Sequence, residues 1–65
     1  MNSNLFMNCL WYEDIAPYQI AKILEISEET FFDKVFGNKS FTNDEIKKIS
    51  CLLGLTKEEI EMIFF

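Results

Sequence analysis

Between its few chain breakers, Pro17, Gly37 and Gly54, this sequence repeats its apolar residues at three- and four-residue intervals. That is the period of a helix with one buried face, not the alternation of a half-buried strand. Leu5, Phe6, Cys9 and Leu10 share one face of a helix predicted over about residues 3–13, with Trp11 and Tyr12 beside it. Pro17 suits the first turn of a second helix, where its missing N–H costs nothing, and Ile20, Ala21, Ile23 and Leu24 form the stripe that follows. Ile26-Ser27 breaks the rhythm, and Ser27 is a good N-cap for a third helix carrying Phe31 and Val35, with Phe32 and Phe36 close by and Gly37 at its end. Two capping boxes are the clearest local signals: Thr42 with Glu45, and Thr56 with Glu59. They open a fourth helix bearing Ile46, Ile49, Leu52 and Leu53, closed by Gly54, and a fifth bearing Ile60, Ile63 and Phe64 that runs to the end. The prediction is an all-α fold of five short helices forming a single domain over residues 1–65.

A chain of 65 residues buries only about 60% of its unfolded surface, so its core must be rich to hold. It is rich: 49% of residues are apolar, including seven Phe, one Trp and two Tyr. These exceed what so small a core hides, which points to self-association. The charge balance excludes other roles. Six Lys, no Arg and eleven acids give a net charge of −5, which disfavours indiscriminate binding to polyanions or to an anionic membrane. Without Arg the chain also lacks the bidentate fork that most often reads guanine.

Chemistry is sparse. There is no His, and Cys9 and Cys51 stand far apart, so no metal site is expected and the two cysteines read as reduced thiols. No general base, phosphate-cradling loop or activated nucleophile is evident, and the neighbouring acids Glu28/Glu29 and Glu58/Glu59 diverge around a helix instead of converging. An enzyme is not expected, nor any cofactor. The start MNSNLFMNCLWYEDI lacks a basic leader and a clean apolar run, and no segment approaches the roughly 20 apolar residues of a membrane span. A cytoplasmic protein without a membrane partner is expected.

The stretch IAKILEISEETFFDKVF, from Ile20 to Phe36, resembles the helix-turn-helix unit of the lambda-repressor/Cro family. Ala21 occupies the position where that family's two helices cross closely; Ile20, Leu24, Ile26 and Phe31 match its apolar positions, and Ser27 matches its cap. The following GNKSFTNDEIKKI and LGLTKEEIEMIFF resemble the family's loop, fourth helix and last elements, so the likeness spans nearly the whole chain. One departure is Glu25, standing in the turn where the family often has Gly because positive φ is needed.

The resemblance implies a lambda-repressor-like domain that binds double-stranded DNA as a homodimer, a small transcriptional regulator of phage or mobile-element type. The residues matching the family's groove- and phosphate-facing positions are Pro17, Tyr18, Ser27, Glu28, Glu29, Phe32 and Asp33. Three are acids, which oppose phosphates although Glu28 and Glu29 also favour the helix dipole by about 0.3–1 kcal/mol each. Basic residues cluster further on: Lys34, Lys39, Lys47 and Lys48 match the segment that lies along the DNA backbone, joining Tyr18 as expected backbone contacts. Met62 and Phe65 exceed the stripe of the last helix and are expected at a dimer interface, with Trp11 and Phe32 as further exposed aromatic anchors. The alternative is a degenerate acidic helix-turn-helix module, of anti-CRISPR or antirepressor kind, whose Glu25, Glu28, Glu29 and Asp33 dock on a basic protein surface without binding DNA.

Overall fold

Four of the five helices begin after a residue whose side chain caps them. In the computed structural model, which describes all 65 residues, α1 spans Ser3–Tyr12, α2 Pro17–Leu24, α3 Glu28–Val35, α4 Asn43–Leu53 and α5 Lys57–Phe64. There are no strands, and no helix is long and apolar enough to cross a membrane. Asn2, Ser27, Thr42 and Thr56 each accept a backbone N–H from the first turn of the helix they precede. Both predicted capping boxes close: the N–H groups of Thr42 and Thr56 donate to Glu45 and Glu59 at 2.9 Å each. Ala16 has no such side chain, but its N–H donates to Gln19 Oε1 at 2.8 Å, and Pro17 follows at the first helical position.

Four connections end their helices in the same way. A residue with positive φ reverses the chain, and the next N–H reaches five residues back: Ile15 to the Leu10 carbonyl, Ile26 to Ala21, Asn38 to Asp33 and Leu55 to Ser50, at 2.8–3.0 Å. Ile15, Ile26 and Leu55 then pack half-buried against the core, which fixes the exit angle of each helix. Gly37 and Gly54 supply two of the reversing residues at φ 91° and 64°, but Asp14 and Glu25 supply the others at 56° and 59°. A side chain in that conformation is strained by roughly 1–2 kcal/mol, whereas glycine gives back about 0.5–1 kcal/mol through its freer unfolded state. Glu25 is exposed, and no hydrogen bond of its side chain compensates. Glu25→Gly is therefore expected to stabilise the domain by about 0.5–1 kcal/mol, raising the melting temperature by a few degrees. A fall in the thermal midpoint would contradict this account of the turn.

The helices enclose a core to which all five contribute: Phe6 and Leu10 from α1, Ile20, Ala21 and Leu24 from α2, Phe31 and Val35 from α3, Ile49 and Leu53 from α4, Ile63 and Phe64 from α5. Phe6 stands at its centre, fully buried, with the rings of Phe31, Phe41 and Phe64 at centroid distances of 5.8–6.1 Å. Two hydrogen bonds tie the start of the chain into this arrangement: Asn2 N–H to the Ile63 carbonyl, and Ser3 Oγ to the Val35 carbonyl. The start of α1 is thereby held against the ends of α3 and α5. Not every residue of the expected stripes turns inward. Ile23 and Leu52 remain 45% and 41% exposed because α2 and α4 are each covered on one narrow side only.

Candidate functional site

Helix α3 is anchored on one side and open on the other. Phe31 and Val35 are fully buried, while the opposite flank carries Ser27, Glu28 and Glu29 into solvent. Ser27 Oγ is committed locally, accepting the Thr30 N–H at 3.1 Å and donating to Thr30 Oγ1 at 2.9 Å. Glu28 and Glu29 occupy the first turn, where the helix dipole favours them. α2 packs against α3 through the turn at Glu25, and Tyr18 projects from the first turn of α2, largely exposed.

Toward its C-terminal end the flank changes character. Phe32 is half-buried and stacks nearly parallel on Phe36, centroids 6.0 Å apart. Phe36, which the sequence marks only as a neighbour of the stripe, is 63% exposed, so the two rings form an aromatic ledge. Asp33 is half-buried, and its backbone carbonyl receives the N–H groups of both Asn38 and Lys39, which shapes the loop into α4.

Lys34 lies where the sequence alone does not place it. Its ammonium donates to both carboxylate oxygens of Glu45, at 2.6 and 2.7 Å, and rests 5.9 Å from the centre of the Phe41 ring. The two side chains are only 12% and 13% exposed, and theirs is the one ion pair in the chain. Lys34 is thus a fastener between α3 and α4, and its charge is already answered. Lys39, Lys47 and Lys48 stay exposed. The α3 flank keeps three carboxylates, on Glu28, Glu29 and Asp33, with no ion-pair partner.

Burial works against ionisation of Glu45, but the Lys34 hydrogen bond, the Thr42 N–H and the Lys34 charge together outweigh it and hold the carboxyl below the usual glutamate range. Because the folded carboxyl titrates below the unfolded one, this stabilisation is complete above the ordinary glutamate pKa of about 4.3 and is lost as pH falls through the folded value. Lys34→Met keeps the stem and removes the charge. It is expected to cost about 1–2 kcal/mol in urea denaturation at neutral pH, and the gap from the parent should narrow in acid. An equal gap at both pH values would deny the pair its role.

The residues expected at a dimer contact also come together. Met62 and Phe65 line a shallow depression with Met1, Asn2, Ser3 and Asn4; Met62 is 60% and Phe65 81% exposed. Trp11, at 88% exposed, stands in the last turn of α1 and does not line this depression. No three His, Cys, Asp or Glu side chains are grouped so as to hold a metal ion. No family model, curated protein or solved structure matches the chain.

Proposed function

We propose that the chain is a small DNA-binding regulator of the lambda-repressor/Cro kind and of phage or mobile-element type. It acts as a homodimer that sets α3 in the major groove and lays Lys39, Lys47 and Lys48 along the phosphates. The observation that carries this is the α2–α3 pair: two eight-residue helices joined by a left-handed turn at Glu25, the second with its apolar stripe sealed and its polar flank open. Further support is the exposure of Lys39, Lys47 and Lys48, whereas Lys34 is committed to Glu45. Met62 and Phe65, exposed together, offer the surface through which two copies join.

Electrostatics makes the proposal quantitative. Each phosphate neutralised on duplex DNA contributes about −0.9 to the slope of log affinity against log salt. Three lysines per protomer give a dimer a slope no steeper than about −5, against about −7 if Lys34 also took part. A gel shift on the DNA upstream of the protein's own reading frame, repeated across salt concentrations, measures it. No shift at low salt and micromolar protein would exclude DNA as the target.

The unanswered carboxylates of α3, together with the neutralisation of Lys34 by Glu45, favour one other function: an acidic module whose Glu28, Glu29 and Asp33 meet a basic protein surface, with Phe32 as the apolar anchor. Such an interaction speeds encounter by charge and also weakens with salt, so a slope alone does not separate the two functions. Binding to naked DNA does.

A further inference from the structure

A second surface shares no residue with the Lys34–Glu45 fastener. The N-terminal ends of α1 and α4 are the ones tied to α3, through Ser3 and Glu45. At their C-terminal ends, α1 and the α4–α5 connection face each other across a cleft of about 340 Å³. Its apolar floor is made by Cys9, Leu53 and Leu55, all at least half-buried. Its walls carry Glu13, Glu59 and Tyr12, the last 86% exposed.

Three features define what this cleft would accept. No lysine lines it, and neither Glu13 nor Glu59 has an ion-pair partner. The Glu59 carboxylate is held in place, because one oxygen accepts the Thr56 N–H at 2.9 Å while the other stays free. Both carboxylates line the same cleft as the Cys9 thiol, whose pKa is pushed upward by burial first and then by the charges of Glu59 and Glu13. A volume at the low end of ligand clefts, about 300–1,000 Å³, suits one long side chain with its neighbours better than a flat partner.

We infer that this cleft docks a cationic segment of a protein partner. An Arg or Lys side chain would lay its stem on Leu53 and Leu55 and its charge between Glu13 and Glu59, beside the face of Tyr12. Long cationic side chains bury their stems on apolar surface while keeping the head near carboxylates, and an aromatic face adds attraction for the same charge. The site is separate from α3 and does not depend on whether α3 binds DNA.

The test is an amide NMR titration of the intact chain with blocked hexa-arginine. The signals of Cys9, Glu13, Leu55 and Glu59 should shift in a saturable manner. Glu13→Gln with Glu59→Gln should weaken binding at least tenfold; the second substitution preserves the capping box, since a glutamine amide oxygen accepts the same N–H. Glu58→Gln with Glu61→Gln removes two charges at exposed positions of α5 that do not line the cleft, and should change affinity less than threefold. Equal weakening by both pairs would reduce the effect to net charge and overturn the inference, as would shifts confined to α3 or no saturation at millimolar peptide. Movement of the cleft signals on dilution without peptide would assign the surface to a second copy instead, and also overturn it.

Discussion

Phe6→Ala should remove about 3–5 kcal/mol, a third or more of this domain's stability. Truncating a buried Phe costs that much through lost burial and the cavity left behind, and domains hold only about 0.05–0.15 kcal/mol per residue, or roughly 3–10 kcal/mol at this length. The position makes the upper half of the range the expectation. Phe6 is fully buried and its ring touches Phe31 of α3, Phe64 of α5 and Phe41 of the loop between α3 and α4, so no single neighbour can move in to fill the space. Phe41 and Phe64 also meet edge to face at 5.8 Å, and both would lose their common partner. Far-UV circular dichroism should show the helices lost, or melting without a sharp transition. Phe36→Ala, at a ring 63% exposed, should cost no more than about 1 kcal/mol by the same measurement. Similar losses at the two positions would refute a core organised around Phe6.

The contrast between Phe6 and Phe36 also marks what the sequence makes legible. Helix starts are written locally, because a cap and the glutamate that answers it are three residues apart; Thr42 with Glu45 and Thr56 with Glu59 are found where expected. Stripe residues such as Phe31 and Val35 are equally plain from their four-residue spacing. The reversal at Asp14 is not, because its φ of 56° is imposed by the packing of Ile15 and no glycine announces it. α1 accordingly stops at Tyr12, one residue short of the helix the apolar pattern suggests. The candidate site is half legible for the same reason. Which side of α3 faces outward follows from its period. Which charges on it remain available does not, since Lys34 and Glu45 are 11 residues apart and meet only after the Gly37 turn has folded the loop back. Glu45 reads in the sequence as a cap alone, yet one carboxylate both caps α4 and takes the charge of Lys34.

Reversing the first-turn acids of α3 should have the largest effect on binding. Glu28→Lys with Glu29→Lys is expected to raise affinity for the upstream DNA at least tenfold at low salt and to steepen the salt dependence. Both positions are exposed and neither is in an ion pair, so the new ammonium groups start unencumbered. Two added phosphate contacts per protomer would deepen the slope of a dimer by at most about 3–4. The change has a cost within the protein, because cations at a helix N-terminus oppose its dipole where acids favoured it, about 0.3–1 kcal/mol per residue for each effect. Glu28→Gln with Glu29→Gln separates the two consequences: it removes the repulsion without adding cations, and should recover part of the affinity gain without the steeper slope. If α3 instead presents its carboxylates to a basic protein, the lysine pair abolishes that contact and naked DNA gains only a weak, sequence-indifferent attraction. The discriminating quantity is therefore the ratio of affinities for the upstream DNA and a scrambled duplex of equal length. A ratio that stays near one while both affinities climb would mean that α3 reads no bases, and that its acids were placed for a different kind of surface.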